Sequence, residues 1–134
     1  MIVSVRAWRT DHLEGTSDLF LDGRAIFDGV QLKAEHVADG EKSKEYCTFH
    51  TDHVILVHQG ATQSRIRLYE GRNGSAEVIS PFGTMVFSAV LNRYEKREED
   101  IILRYWLFQG NQLVADNELR FEIGSKKAIP EGHA

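Results

Sequence analysis

Cysteine, positive charge and long apolar runs are all scarce in this sequence. Its single cysteine, Cys47, excludes an internal disulfide and favours a reducing compartment. A formal net charge of -4 argues against the basic surface that nucleic acids and anionic membranes require. The longest apolar run has four residues, as at 54–57, and the first ten residues lack the apolar core of a signal peptide. We therefore expect a soluble cytoplasmic protein with no nucleic-acid or membrane partner.

Helical periodicity and the common catalytic motifs are also missing. No segment combines an apolar period of 3.6 with helix caps, and no nucleophile elbow, phosphate loop or dinucleotide fingerprint occurs. Apolar and polar residues instead alternate, as at 85–91, 103–107 and 119–123, which indicates strands with one buried face. The predicted strands, with merging among the first four left open, are 2–10, 16–21, 24–27, 30–36, 45–50, 54–59, 63–69, 76–80, 84–94, 101–108 and 113–123.

Short turn sequences separate these strands. The pairs Asp22–Gly23, Asp28–Gly29 and Asp39–Gly40 are hairpin-type dipeptides, and Asn73–Gly74 is the strongest of this kind. The segment Ser80–Gly83 fits a type I turn, because Pro at its second position presets φ. Gly110–Asn111 separates two apolar strands. Many short strands joined by tight turns predict an antiparallel meander, which loses its exposed edges when it closes.

The length of 134 residues predicts one domain with one core. We expect an all-β fold over residues 1–124, in which the meander closes into a barrel of about eight to ten strands. Residues 125–134 are expected to form a flexible C-terminal tail, because they carry Lys, Pro and Gly and no strand pattern.

A series of fragments between Val54 and Ile123 carries a family resemblance. The fragments are Val57-His58-Gln59-Gly60, Leu68-Tyr69-Glu70-Gly71, Ser80-Pro81-Phe82-Gly83, Leu103-Arg104-Tyr105-Trp106-Leu107 and Asn117-Glu118-Leu119-Arg120-Phe121-Glu122-Ile123. In this order they resemble the YwiB-like calycin-barrel family, domain of unknown function 1934. The resemblance implies a calycin-type, lipocalin-like barrel fold. It implies no activity, since the family has no established one.

The chain departs from the family pattern at polar positions. It has Ala34-Glu35-His36 where the resemblance implies a Tyr-Glu-Glu-like cluster. It has His58 in place of an Arg, and His50 in place of a Lys. Of these polar positions, Glu35 alone is kept unchanged.

Candidate ligand-binding residues are Glu35, His50, His58 and Tyr105. His58 shares a strand face with Val54 and Leu56, which places it near one barrel mouth, where it either contacts a ligand or serves as a rim histidine of the structure. An inward Tyr105 needs a hydroxyl partner, which a ligand, a water molecule or Glu35 would supply. The first hypothesis is a small, partly apolar ligand held in or at the mouth of the barrel.

Two other hypotheses stay open. Trp106 and Phe108 are expected on the outer wall, where they would form an interaction or homodimer surface on a barrel filled by its own side chains. An enzyme would require Glu35 and His58 to meet as an acid–base pair.

We predict no metal site and no cofactor. His50 and His53 flank Asp52, but they lie across a predicted turn and match no standard zinc spacing.

Overall fold

The structure is a computed structural model that describes residues 1–38 and 40–125. The segments with alternating apolar and polar residues form ten strands in it. The strands are β1 (Ile2–Asp11), β2 (Thr16–Phe27), β3 (Gln31–Ala38), β4 (Glu41–Phe49), β5 (His53–Gln59), β6 (Gln63–Tyr69), β7 (Arg72–Ser80), β8 (Gly83–Lys96), β9 (Asp100–Gln109) and β10 (Gln112–Ser125). The predicted strands 16–21 and 24–27 are one strand, β2. Of the predicted tail, Ser125 ends β10 and residues 126–134 lie outside the described residues.

Each strand pairs antiparallel with its neighbour in sequence, and β1 pairs with β10 to close the sheet. The predicted antiparallel meander barrel is therefore confirmed, and it has ten strands. Within the described residues, no helix is long and apolar enough to cross a membrane.

The barrel interior is filled by side chains. Phe49, Phe121, Leu32 and Leu68 are each at most 1% exposed, and the Phe121 ring meets Phe49 edge-on with 5.2 Å between ring centroids. The side chains predicted to face inward do so; Leu103, Tyr105, Leu107 and Phe121 are buried, and Phe87 and Leu91 pack against the core. A ligand in the middle of the barrel would have to displace this packing.

Two of the predicted turns lie inside strands. Asn73–Gly74 belongs to β7, and the turn before it is Glu70–Gly71, since Tyr69 pairs with Arg72. Asp22–Gly23 lies within β2. In both places pairing with the neighbouring strand overrides the turn preference of the dipeptide.

The other predicted turns are found where expected. Asp28–Gly29 separates β2 from β3, and Gly40 precedes β4, while Asp39 lies outside the described residues. Ser80 pairs with Gly83 across a tight hairpin, and Gly110 with φ of 62° turns β9 into β10.

The β2–β3 contact is the shortest ladder in the barrel. Three residue pairs are described there: Ala25–Ala34, Ile26–Lys33 and Phe27–Leu32. By contrast, β2 pairs with β1 over ten positions. We call this short ladder the β2–β3 seam.

Candidate functional site

The two mouths of the barrel carry different side chains. The end with the turns at 12–15, 60–62 and 110–111 is here called the His58 mouth, and the end with the turns at 28–30, 50–52 and 70–71 is called the His50 mouth. Strand alternation decides which residues point inward at each end.

Three titratable side chains meet inside the His58 mouth. Two contacts converge on the Glu45 carboxylate oxygen Oε2, from His36 Nε2 at 2.7 Å and from His58 Nδ1 at 2.5 Å. An ionised carboxylate can only accept hydrogen bonds, so in that form Glu45 would take one from each ring nitrogen. The side chains of His36 and Glu45 are 11% and 12% exposed, while that of His58 is 29% exposed and borders the opening.

The period-two pattern of three adjacent strands produces this cluster. Inward residues are Leu32, Ala34 and His36 on β3, Ser43, Glu45, Cys47 and Phe49 on β4, and Val54, Leu56 and His58 on β5. Glu45 stands opposite His58 in the β4–β5 register. The apolar members of each strand lie deeper, so the polar members are left at the rim.

Gly60 allows a close approach behind His58. A Cβ atom at Gly60 would lie 3.0 Å from His58 Nε2 and 2.6 Å from the oxygen of the buried Ser43. The Ser43 hydroxyl and the outer nitrogen of His58 therefore both lie close to the backbone at position 60. Any residue other than glycine at position 60 would displace one of them.

The inner face of the mouth becomes apolar on the far side of His58. His58 pairs with Ser64, Ser64 with Val78, and Val78 with Met85, which continues one row across β5 to β8. Met85 is 50% exposed. The His58 mouth thus has a polar half on β3 to β5 and an apolar half on β7 and β8.

Glu35 does not reach this site. It lies between the inward residues Ala34 and His36, so its own side chain is exposed on the outer wall, opposite Lys44. The structure does not form the predicted pairing of Glu35 with His58, nor its contact with Tyr105. Glu35 instead lines an outer cavity of about 380 Å³ beside the β2–β3 seam, together with Arg24 and Lys33.

His50 lies at the opposite end of the barrel. Its ring stacks on His53 with 4.3 Å between centroids, and His53 Nδ1 lies 2.9 Å from Asp52. The contact with His53 holds the pKa of Asp52 below its ordinary value. The Tyr94 hydroxyl donates to the His50 carbonyl, and burial raises the pKa of Tyr94 to about 12. His50 and His58 therefore belong to separate mouths.

Tyr105 is part of the core. It is 5% exposed and stands opposite Asn117 on β10. Burial raises the pKa of Tyr105, and the Asn117 side chain acts in the opposite direction. The sequence-predicted ligand residues are thus spread over the outer wall, the core and two mouths.

Trp106 and Phe108 lie on the outer wall with their rings edge-on, 6.3 Å apart. The Trp106 indole nitrogen is buried, and Trp106 stands opposite Asp116 on β10. Val86 on β8 is 62% exposed on the same outer wall, two residues before Ser88, which pairs with Phe108. Trp106, Phe108 and Val86 form an apolar patch, here called the Trp106 patch.

Of the three side chains that meet inside the His58 mouth, His36 and Glu45 were not predicted as site residues. The pattern that places Glu45 inward was present, since Ser43, Glu45, Cys47 and Phe49 occupy alternate positions of one strand. The predicted strand began at Glu45, whereas β4 begins at Glu41. Cys47 is a buried strand residue, and its burial raises the pKa of the thiol.

Comparisons with known proteins agree with the barrel. A search of curated proteins finds no match. Among solved structures, the crystal structure of the ywiB protein from Bacillus subtilis matches with a TM-score of 0.62 at 13% identity, over 92% of this chain and 89% of that chain. At that identity the likeness shows a shared fold. The family model described as "Domain of unknown function (DUF1934)" matches residues 29–121, more than half of the sequence, so the chain belongs to this family.

Proposed function

We propose that this chain is a binding protein that holds a small, partly apolar ligand at the His58 mouth. The observation that carries this proposal is the divided inner face of the mouth. Glu45 and His58 supply polar atoms at one end of the row, and Met85 supplies exposed apolar surface at the other. Such a mixture of apolar lining and a few polar groups is typical of ligand sites.

The site favours a ligand that sits on the rim. The middle of the barrel is occupied by Phe49, Phe121 and other fully buried side chains. A ligand with one polar group would direct it to His58, whose side chain is the most exposed of the cluster. We also propose a cytoplasmic location, which is supported by the lone, reduced cysteine Cys47.

Neighbouring residues on β8 provide a matched test. Met85 is 50% exposed on the inner face and Val86 is 62% exposed on the outer face. Native mass spectrometry of freshly purified chain should show an added mass that is lost on denaturation. Met85→Glu should remove this mass, because it places a charge beside the apolar end of the ligand. Val86→Glu, on the outer face, should retain the mass. A bare wild-type mass would contradict the proposal.

Self-association through the Trp106 patch is the second candidate function. The adjacent rings of Trp106 and Phe108 and the 62% exposure of Val86 favour it, since exposed apolar patches often pair across two-fold axes. Sedimentation should then show a dimer that Val86→Glu dissociates and Met85→Glu does not. A monomeric wild type at all concentrations would exclude this candidate.

A further inference from the structure

We propose that His36, Glu45 and His58 form a binding site for a divalent transition-metal ion of the zinc class. This inference rests on the proposed function, because the ion would anchor the polar end of a ligand at the same mouth. Metal binding is nevertheless measurable without that ligand.

The donor set is the first argument. Each residue offers one ligand atom, and the three atoms lie within 4.8 Å of one another. Two imidazoles and one glutamate are a known ligand set for zinc sites in which the fourth position stays open to water or substrate. His58, whose side chain is 29% exposed, is the member of the set through which water or a ligand would reach that fourth position.

The distances are the second argument. Glu45 Oε2 lies 2.7 Å from His36 Nε2 and 2.5 Å from His58 Nδ1. A tetrahedral zinc ion with bonds of about 2.0–2.1 Å needs donors roughly 3.3 Å apart. Each of the two histidine–glutamate distances would have to open by less than about 1 Å, and His36 Nε2 and His58 Nδ1 already lie within 4.8 Å of each other. Each neutral ring would then carry its proton on its other nitrogen, which frees the coordinating lone pair.

The surroundings of His58 are the third argument. With Nδ1 on the metal, Nε2 would carry the proton, and both Nε2 and the Ser43 hydroxyl oxygen lie within 3.0 Å of the point that a Cβ at Gly60 would occupy. Metal-bound histidines commonly donate their second N–H to an oxygen, which fixes the ring. Gly60 leaves the room for this contact, because a Cβ there would press on both groups.

Other histidines of the chain provide matched controls. His12 contacts Glu118 at 3.2 Å, and His53 contacts Asp52 at 2.9 Å. Each is a histidine–carboxylate pair near a barrel mouth. Within the described residues, neither belongs to a group of three metal-ligating side chains.

The experiment uses the full chain, stripped of metal and then dialysed against zinc chloride. Wild type, His12→Ala and His53→Ala should each bind one zinc ion per chain with equal affinity. His36→Ala, Glu45→Gln and His58→Ala should bind at least about 100-fold more weakly, beyond the 10–100-fold that the loss of an outer partner costs. Cobalt substitution should give the visible absorption of a four-coordinate site in wild type, and Glu45→Gln should lose it.

Three outcomes would overturn the inference. The first is a wild-type chain that retains no zinc. The second is zinc retention by His36→Ala and His58→Ala that equals that of wild type. The third is a loss of zinc in the His12→Ala control that equals the loss in the site variants. Glu45→Gln keeps the side-chain shape, and circular dichroism identifies any variant that fails to fold. If zinc binding fails while the added mass sensitive to Met85→Glu persists, the metal site falls and the proposed ligand function stands.

Discussion

At the scale of single residues, Arg104 and Asp116 form a two-pronged ion pair between β9 and β10. Arg104 donates from Nε to Oδ1 at 2.9 Å and from Nη2 to Oδ2 at 2.8 Å. These hydrogen bonds hold the pKa of Asp116 below its ordinary value of 3.8. A carboxyl whose folded-state pKa is lowered stabilises the fold above the ordinary pKa and loses this contribution as pH falls through the folded-state pKa.

We predict that Asp116→Asn lowers the urea midpoint at pH 7, because it leaves Arg104 without its charged partner. The difference in urea midpoint between the variant and wild type should narrow at pH 3, because protonation of Asp116 begins to remove the contribution of the ion pair in wild type. Asp18→Asn serves as the control, since the Arg9–Asp18 pair is more than half exposed at 3.6 Å and such pairs contribute little. A gap of equal size at both pH values would contradict the assignment.

The cluster of His36, Glu45 and His58 shows how far the site could be predicted from residue types alone. His58 was placed at a mouth from its alternation with Val54 and Leu56, and the structure places it there. Its carboxylate partner was sought in Glu35 and is Glu45, one strand further along. His36 and His58 both stand where the family resemblance implies other residue types. Neither the sequence pattern nor the resemblance therefore pointed to this cluster. The pairing register of β3, β4 and β5 was needed to find it.

At the scale of elements, the β6–β7 hairpin depends on a glycine inside a strand. β6 and β7 shift register opposite Leu68, where β7 has an additional residue. A Cβ at Gly74 would lie 1.8 Å from the Arg67 carbonyl oxygen. Backbone at that distance cannot rotate away, so the close approach requires glycine.

Gly74→Ala should therefore lower the free energy of unfolding by about 1–3 kcal/mol, the usual cost of forced overpacking. Gly23→Ala is the matched control, because Gly23 also lies inside a strand and has open space around its Cβ position. Its effect should be close to zero. Urea denaturation measures both, and equal losses would show that the contact with Arg67 is not the cause.

The strand pattern was predicted well because each strand has its own alternation. The exceptions come from glycine. Asn73–Gly74 and Asp22–Gly23 have the composition of turns, yet one forms a bulge and the other continues a strand. A dipeptide carries no information on the strand beside it, which decides between these roles.

At the scale of the whole molecule, the β2–β3 seam is the weakest part of the closed sheet. It has three described residue pairs, while β5 and β6 share seven. Local opening takes the path of fewest buried contacts and hydrogen bonds. The barrel should therefore open along this seam before it unfolds.

Hydrogen exchange measured by mass spectrometry tests this expectation. Peptides covering residues 20–36 should take up deuterium under native conditions earlier than peptides covering 54–68. Peptides from β9, which is paired on both sides over most of its length, serve as the slow reference. Uptake by 54–68 that equals or precedes that of 20–36 would contradict the role of the seam.

The meander was predictable from local sequence, but the pairing that closes it was not. Val3 pairs with Ser125 and Val5 with Ile123, contacts that join the two ends of the described chain. Sequence alternation is local and says nothing about contacts across more than a hundred residues. Closure followed instead from the general cost of exposed sheet edges.

The pairing of β1 with β10 makes the sheet a ring in which every strand has the same two neighbours, wherever the chain is taken to begin. A gene permuted to start at Asn111 would keep every strand beside both of its partners, with only the connection near β1 and β10 rebuilt. The His58 mouth would then lie next to the new termini. A reporter fused there would stand beside the residues that we propose to bind.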